Sequence, residues 1–179
     1  MKSLGSTDLK RLHRDWRRRT DVRVALLLDS VQTPFNVGSI LRTAAALRVE
    51  HVWICGATAA PTHDRTSKTS LGADRFLTFT TVESPADAAA EAKAEGYRVV
   101  GIELADEALP IHEADLGGDV CLAVGHEDRG LSAACLAACD QVAFIPQLGR
   151  IGSLNVATAT SIALYEARRR GWPDGTPAP

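Results

Sequence analysis

The chain has 179 residues and a mass of 19.1 kDa, 45% hydrophobic and 23% charged, with mean hydropathy −0.04. These values exclude a disordered or collagen-like chain, and at this length folding removes roughly 70% of the unfolded surface from water, enough for one core without staples. The formal net charge of −2 hides an asymmetry: residues 1–23 carry eight cations (Lys2, Lys10, Arg11, Arg14, Arg17, Arg18, Arg19, Arg23) against Asp8, Asp15 and Asp21, so a local +5 leaves −7 for the remainder.

Residues 1–22 therefore read as a basic N-terminal arm, 23–171 as one domain, and the Pro/Gly-rich stretch 172–179 as a tail expected to fray. The arm is polar, without the apolar stretch of a secretory signal, and no apolar run approaches the ~20 residues that span a bilayer. The expected location is cytoplasmic, with no membrane partner. Cys55, Cys121, Cys135 and Cys139 form no CxxC pair and sit mostly in apolar stretches, which suits buried thiols in a reducing compartment. No His pair completes a zinc set, and His126-Glu127 is not HExxH, so no metal is expected.

In chain order, the apolar runs predict strands at 24–28, 51–55, 76–80, 98–103, 120–124 and 141–145. Helices are expected at 37–47, 85–95, 133–138 and 154–170; Ser84 can cap the second, Pro85 occupy its first turn and Gly96 end it. This alternation argues an α/β fold, a mostly parallel sheet with helices on both faces. Sites in such sheets lie in loops beyond the C-terminal ends of strands.

Three such loops are unusual. In the first, 29–43, Asn36 is expected to cap a helix starting at Val37, whereas Arg42 falls among Ile, Leu and Ala, where a long cation needs an anionic partner or a route to solvent. The second, 125–132, has Gly125 and Gly130 spaced to let backbone approach a ligand. Glu127 occupies the middle Gly position of a dinucleotide fingerprint and Gly-Lys-Ser/Thr is missing, so neither nucleotide motif is present; a tight turn capped by Ser132, with His126 and Glu127 exposed, is the plain structural alternative. In the third, 145–156, Ser153 is expected to cap the final helix and Asn155 to follow in its first turn, where its amide can be offered to a ligand.

Asn36-Val37-Gly38-Ser39-Ile40-Leu41-Arg42-Thr43-Ala44, Gly125-His126-Glu127-Asp128-Arg129-Gly130-Leu131, and Ile145-Pro146 through Ser153-Leu154-Asn155-Val156-Ala157 together resemble the SpoU/TrmH-type RNA 2′-O-ribose methyltransferases of the SPOUT class. Lys68-Thr69-Ser70-Leu71-Gly72-Ala73 adds an echo of the family's Ser-x-Gly-Ala segment. The match runs from residue 23 to about 170 in the family's order and spacing.

The resemblance implies a C-terminal trefoil knot whose loops bind S-adenosylmethionine, here through Leu104, Gly125, Ile145 and Leu154, largely by main-chain contacts. It implies a catalytic set of Asn36, Arg42, Glu127, Ser153 and Asn155. Guanidinium groups are hard to deprotonate, so Arg42 is read as clamping a phosphate and stabilising oxyanion character, Asn36, Ser153 and Asn155 as orienting the ribose and Arg42, and Glu127 as orienting Arg42 or helping carry off the proton. A homodimer joined through its first and last helices, with the catalytic site at that interface, is implied too. Some relatives carry an N-terminal RNA-binding domain; the basic arm stands in its place and favours structured tRNA over rRNA as substrate. His126, Gln147 and Arg48 depart from the family pattern and leave substrate choice open. Two alternatives remain: a nucleotide-dependent oxidoreductase, which lacks its fingerprint, and a catalytically silent RNA-binding or assembly module, against which only the five catalytic positions argue.

Overall fold

The computed structural model describes residues 2–172. Helix α1 (Ser6–Arg17) leads into β1 (Val24–Asp29), α2 (Pro34–Ala46), β2 (His51–Cys55), α3 (Asp64–Ser70), β3 (Thr78–Val82), α4 (Pro85–Ala94), β4 (Arg98–Ile102), β5 (Leu109–Pro110), β6 (Val120–Val124), α5 (Ala133–Ala138), β7 (Gln141–Phe144) and α6 (Val156–Arg170). The seven strands form one sheet in the order β3-β2-β1-β6-β4-β7-β5, every pair parallel. Parallel strands covered on both faces need continuous apolar runs, and β1 and β6 are buried along their whole lengths.

Alternation along each strand divides the core. Leu26, Leu28, Val52 and Leu122 pack with Ile40 and Leu41 of α2 and Leu164 of α6. Ala25, Leu27, Trp53 and Cys121 pack with Ala88, Ala89 and Ala92 of α4 and Cys135 of α5. The expected helices on both faces are thus present.

Residues expected to begin a strand at Phe76 instead form a 3₁₀ turn, Ala73–Phe76, closed by Leu77 N–H to Asp74 O. The strand starts at Thr78, which brings half-buried Phe79 against the core. Three elements are not foreshadowed by the apolar pattern: α1, α3 and the two-residue β5. Within β4 and β5, Ile102 and Leu109 both lie in register with Ala143 of β7, so residues 103–108 cross β7 and leave it inside the stretch of chain that joins β4 to β6.

Arg168, 4% exposed, locks the end of α6: its guanidinium donates to the carbonyls of Leu47 (2.6 Å), Val22 (2.6 Å) and Arg48. Of the expected tail, Trp172 packs near Trp16 and edge-on to Tyr165, with ring centroids 5.0 and 5.5 Å away; 173–179 lie outside the described residues. Among those described, no helix is long and apolar enough to cross a membrane, and no group of three or more His, Cys, Asp or Glu is placed to hold a metal ion.

Candidate active site

The C-terminal ends of β4, β6 and β7 and the entry to α6 surround a cleft of about 440 Å³. Ile102, Val124, Phe144, Ile145 and Leu154 give it apolar walls, and Glu103, His126, Glu127, Asp128 and Ser153 a polar rim. All four positions expected to hold a cofactor, Leu104, Gly125, Ile145 and Leu154, line it, and so do Glu127 and Ser153.

The two glycines of the 125–132 loop serve the loop itself. A Cβ on Gly125 would stand 2.2 Å from the Gly130 carbonyl, and one on Gly130, where φ is +68°, would stand 1.9 Å from Glu103 Oε2. They let backbone close on backbone and on a carboxylate. His126 and Gly130 exchange both backbone hydrogen bonds across this closure (3.0 and 2.9 Å). Asp128 N–H donates to His126 Nδ1 (3.0 Å), which leaves the ring proton of the neutral imidazole on Nε2.

Glu103 belongs to the site although no motif singles it out. Its carboxylate accepts Leu104 N–H and Leu131 N–H, both at 2.9 Å, and so ties the loop after β4 to the loop after β6. Its position at the C-terminal end of the expected strand 98–103, which the structure ends at Ile102, is the one signal the sequence offers. Asp29, 3% exposed at the end of β1, similarly accepts Ser132 N–H at 2.8 Å.

Three of the expected catalytic residues meet in one network. Glu127 Oε1 accepts Thr33 N–H (2.9 Å) and Asn36 Nδ2–H (3.0 Å), and Oε2 accepts Gln32 N–H (3.2 Å). Asn155 Nδ2 donates to Asn36 Oδ1 (3.0 Å), while Asn155 Oδ1 caps α6 by accepting Ala157 N–H (3.0 Å) and Thr158 N–H (3.3 Å). Two expected caps are thereby corrected. Pro34 takes the first turn of α2, which begins after Thr33, so Asn36 lies inside the helix with its side chain free for Glu127 and Asn155. Asn155 rather than Ser153 caps α6, because two of the helix's unpaired N–H groups converge on its Oδ1; Ser153 is exposed on the cleft rim.

Burial pushes the Glu127 carboxyl up, but the hydrogen bonds from Asn36 and the backbone N–H groups outweigh it and bring its pKa down to about 2. Glu127 is thus a carboxylate throughout the neutral range and a weak base. Arg42 stands apart. It takes the solvent route, exposed on the last turns of α2, with no ion pair among the described residues, and lines a different depression with Arg75 and Phe76.

The SpoU rRNA Methylase family matches residues 23–165. The 23S rRNA (guanosine-2′-O-)-methyltransferase RlmB of Acinetobacter baylyi is 36% identical over 154 residues, which cover 86% of this chain and 62% of that protein. The tRNA (guanosine(18)-2′-O)-methyltransferase of Escherichia coli K12 is 33% identical over 155 residues, covering 86% and 66%. The crystal structure of an AdoMet-bound rRNA methyltransferase from Sinorhizobium meliloti superimposes with a TM-score of 0.77 at 32% identity, over 82% of this chain and 56% of that one. This chain therefore spans less than two thirds of the length of each of these relatives. With two of the family's segments lining one cleft and Asn36 of the third hydrogen-bonded to both, the chain belongs to the SpoU rRNA methylase family.

Proposed function

We propose that the protein is an S-adenosylmethionine-dependent RNA 2′-O-ribose methyltransferase acting on structured RNA, with tRNA favoured over rRNA. The observation that carries this reading is the junction of Glu127, Asn36 and Asn155 at the edge of a cleft whose rim includes Ser153. The cleft suits the cofactor. Its volume is in the range of small-ligand pockets, roughly 300–1,000 Å³, its lining mixes apolar and polar side chains, and its carboxylates Glu103, Glu127 and Asp128 outnumber the one cation, Arg129, which favours a sulfonium cation. Leu104, Gly125, Ile145 and Leu154 are the residues that would hold it. Relatives named for rRNA and for tRNA are 36% and 33% identical; the cationic N-terminal stretch is what tips the reading toward a compact tRNA.

Bound there, S-adenosylmethionine supplies an electrophilic methyl group. The protein's task is alignment of a weakly nucleophilic ribose hydroxyl. Ser153 and the Asn36–Asn155 pair orient the ribose, Arg42 clamps an adjacent phosphate and stabilises negative charge developing on the oxygen, and Glu127 fixes Asn36 as a positioning residue. With its pKa at about 2, Glu127 does not take the proton, which passes to water.

A homodimer completes the site in this reading. Arg42 and the cleft occupy separate depressions of one chain, and Phe35, Ile162 and Tyr165, large apolar residues on α2 and α6, are 57%, 39% and 52% exposed, so packing α2 and α6 against a second copy covers them and carries Arg42 to the partner's cleft. The trefoil knot belongs to the same proposal, supported by β7 lying inside the chain that joins β4 to β6. Cytoplasmic residence is supported by the thiols Cys55, Cys121, Cys135 and Cys139, all free.

The test is methylation of bulk tRNA and of rRNA fragments by purified protein with S-adenosylmethionine. Nucleotides resistant to alkaline cleavage are expected from tRNA, because 2′-O-methylation removes the internal nucleophile. Base methylation alone overturns the chemistry. Cofactor binding without methyl transfer to any RNA favours the silent module.

A further inference from the structure

A second concave region lies at the C-terminal end of α2. One depression, about 510 Å³, holds Arg42, Leu71, Gly72, Arg75 and Phe76; the other, about 650 Å³, holds Lys10, His13 and Arg17 of α1 with Arg48 and Arg168. Ala45, Ala46 and Phe76 belong to both, so the two form one trough with Phe76 at its middle. Six Lys or Arg line it (Lys10, Arg17, Arg42, Arg48, Arg75, Arg168), and among the described residues no Asp or Glu does. On a chain of net charge −2, that segregation is a built electrostatic feature.

The aromatic at its centre is held out of the core. Phe76 is 74% exposed, at the end of a turn in which Leu71 and Gly72 both take left-handed backbone angles (φ +53° and +76°). Arg75 Nε donates to Gly72 O at 2.8 Å, and a Cβ on Gly72 would stand 2.5 Å from Arg75 Nη2, so glycine lets the guanidinium fold back over the turn. The same guanidinium lies 5.7 Å from the Phe76 ring centroid. Arg48 and Arg168 spend their hydrogen bonds on backbone carbonyls and contribute only potential, whereas Lys10, Arg17 and Arg42 have no side-chain partner among the described residues.

We propose that this trough is a track for single-stranded RNA, in which an unpaired nucleobase stacks on Phe76 while Arg75 and Arg42 hold phosphates on one side and Lys10 and Arg17 on the other. The proposal rests on the methyltransferase reading and deepens it, since one end of the track is Arg42. An exposed aromatic interleaved with cations is the arrangement that binds unpaired nucleotides with little regard to sequence. A second copy pressed trough to trough is a poorer occupant, because like-charged faces would meet.

The test uses fluorescence anisotropy with a fluorescein-labelled oligouridylate on the full chain, beside calorimetry with S-adenosylmethionine. Phe76→Ala is expected to weaken oligouridylate binding about fivefold or more, with cofactor affinity unchanged. Phe76→Trp is expected to restore binding and to show indole quenching when the oligonucleotide is added. Arg75→Gln should lower the slope of log K against log salt by about 0.7, as expected when one phosphate of a single strand is no longer neutralised. Unchanged affinity in Phe76→Ala overturns the track, and so does conversion of a dimer to a monomer by that substitution, which would place Phe76 against a second copy. The two readings fail separately: if the wild type methylates RNA while Phe76→Ala binds oligouridylate normally, the track falls alone. If Phe76 governs binding but no methyl is transferred, the activity falls alone.

Discussion

Arg42 and Asn36 lie on the same helix, but Arg42 lines a depression of the surface while Asn36 is bonded to Glu127 and Asn155. Asn36 is consumed by Glu127 and Asn155, whereas Arg42 offers a planar fork to something outside the chain. A lysine ammonium keeps the charge and loses the fork. Arg42→Lys should therefore lower kcat about 10²-fold or more, the usual effect of losing one preorganised donor to developing charge, with cofactor affinity unchanged by calorimetry; turnover within a few-fold of wild type would remove Arg42 from its role. Glu127 yields a prediction in pH. Its pKa falls from an ordinary 4.5 to about 2 on folding, so its contribution to stability is full above about 4.5 and is lost as pH falls toward 2. Denaturation curves of wild type and Glu127→Gln should thus be separated at neutral pH and converge across that acid window. The pH–rate profile of the wild type should carry no inflection from Glu127 between roughly pH 5 and 9.

At the scale of elements, α1 has no buried residue, and its basic side chains are mostly exposed. Removing residues 1–19 should weaken RNA binding and flatten its salt dependence, by about 0.7–0.9 in log–log slope for each phosphate that the arm neutralises, with cofactor affinity untouched. An unchanged slope would make the helix a solvated appendage. The elements legible in the sequence were those with continuous apolar runs or strong punctuation. β2, β6 and α5 fall where the pattern put them, and Ser84-Pro85 marks the start of α4. By contrast, α3 reads Asp-Arg-Thr-Ser-Lys-Thr-Ser; its buried side chains are Thr66 and Ser70, which carry no apolar periodicity. β5 has two residues and exists only as a partner of β7. Around the site, Gly125, Glu127, Ile145, Ser153 and Leu154 were legible through motif position, and Glu103 was not. The exchange of cap between Ser153 and Asn155 was not, because both are good capping types and only the helix geometry chooses.

For the whole molecule, the proposed dimer makes a prediction that a monomeric site does not. If Arg42 of one protomer acts in its partner's cleft, Arg42→Ala and Asn155→Ala homodimers are both inactive. A mixed dimer of the two contains one site with both residues intact and one with neither. Mixing equal amounts under exchange should recover about a quarter of wild-type activity, measured by methyl transfer to tRNA; no recovery would confine the site to one chain. The crossing of residues 103–108 over β7 bears on synthesis. β4 and β5 both leave the ribosome before their shared neighbour, so a nascent chain ending near residue 140 has β6 on one side of β4 and nothing on the other. Until residues 141–144 arrive, the edge of β4 exposes unpaired N–H and C=O groups, a template for another chain's strand. Sheet completion therefore waits for β7, and chains stalled or clipped before residues 141–144 should be the species that aggregate.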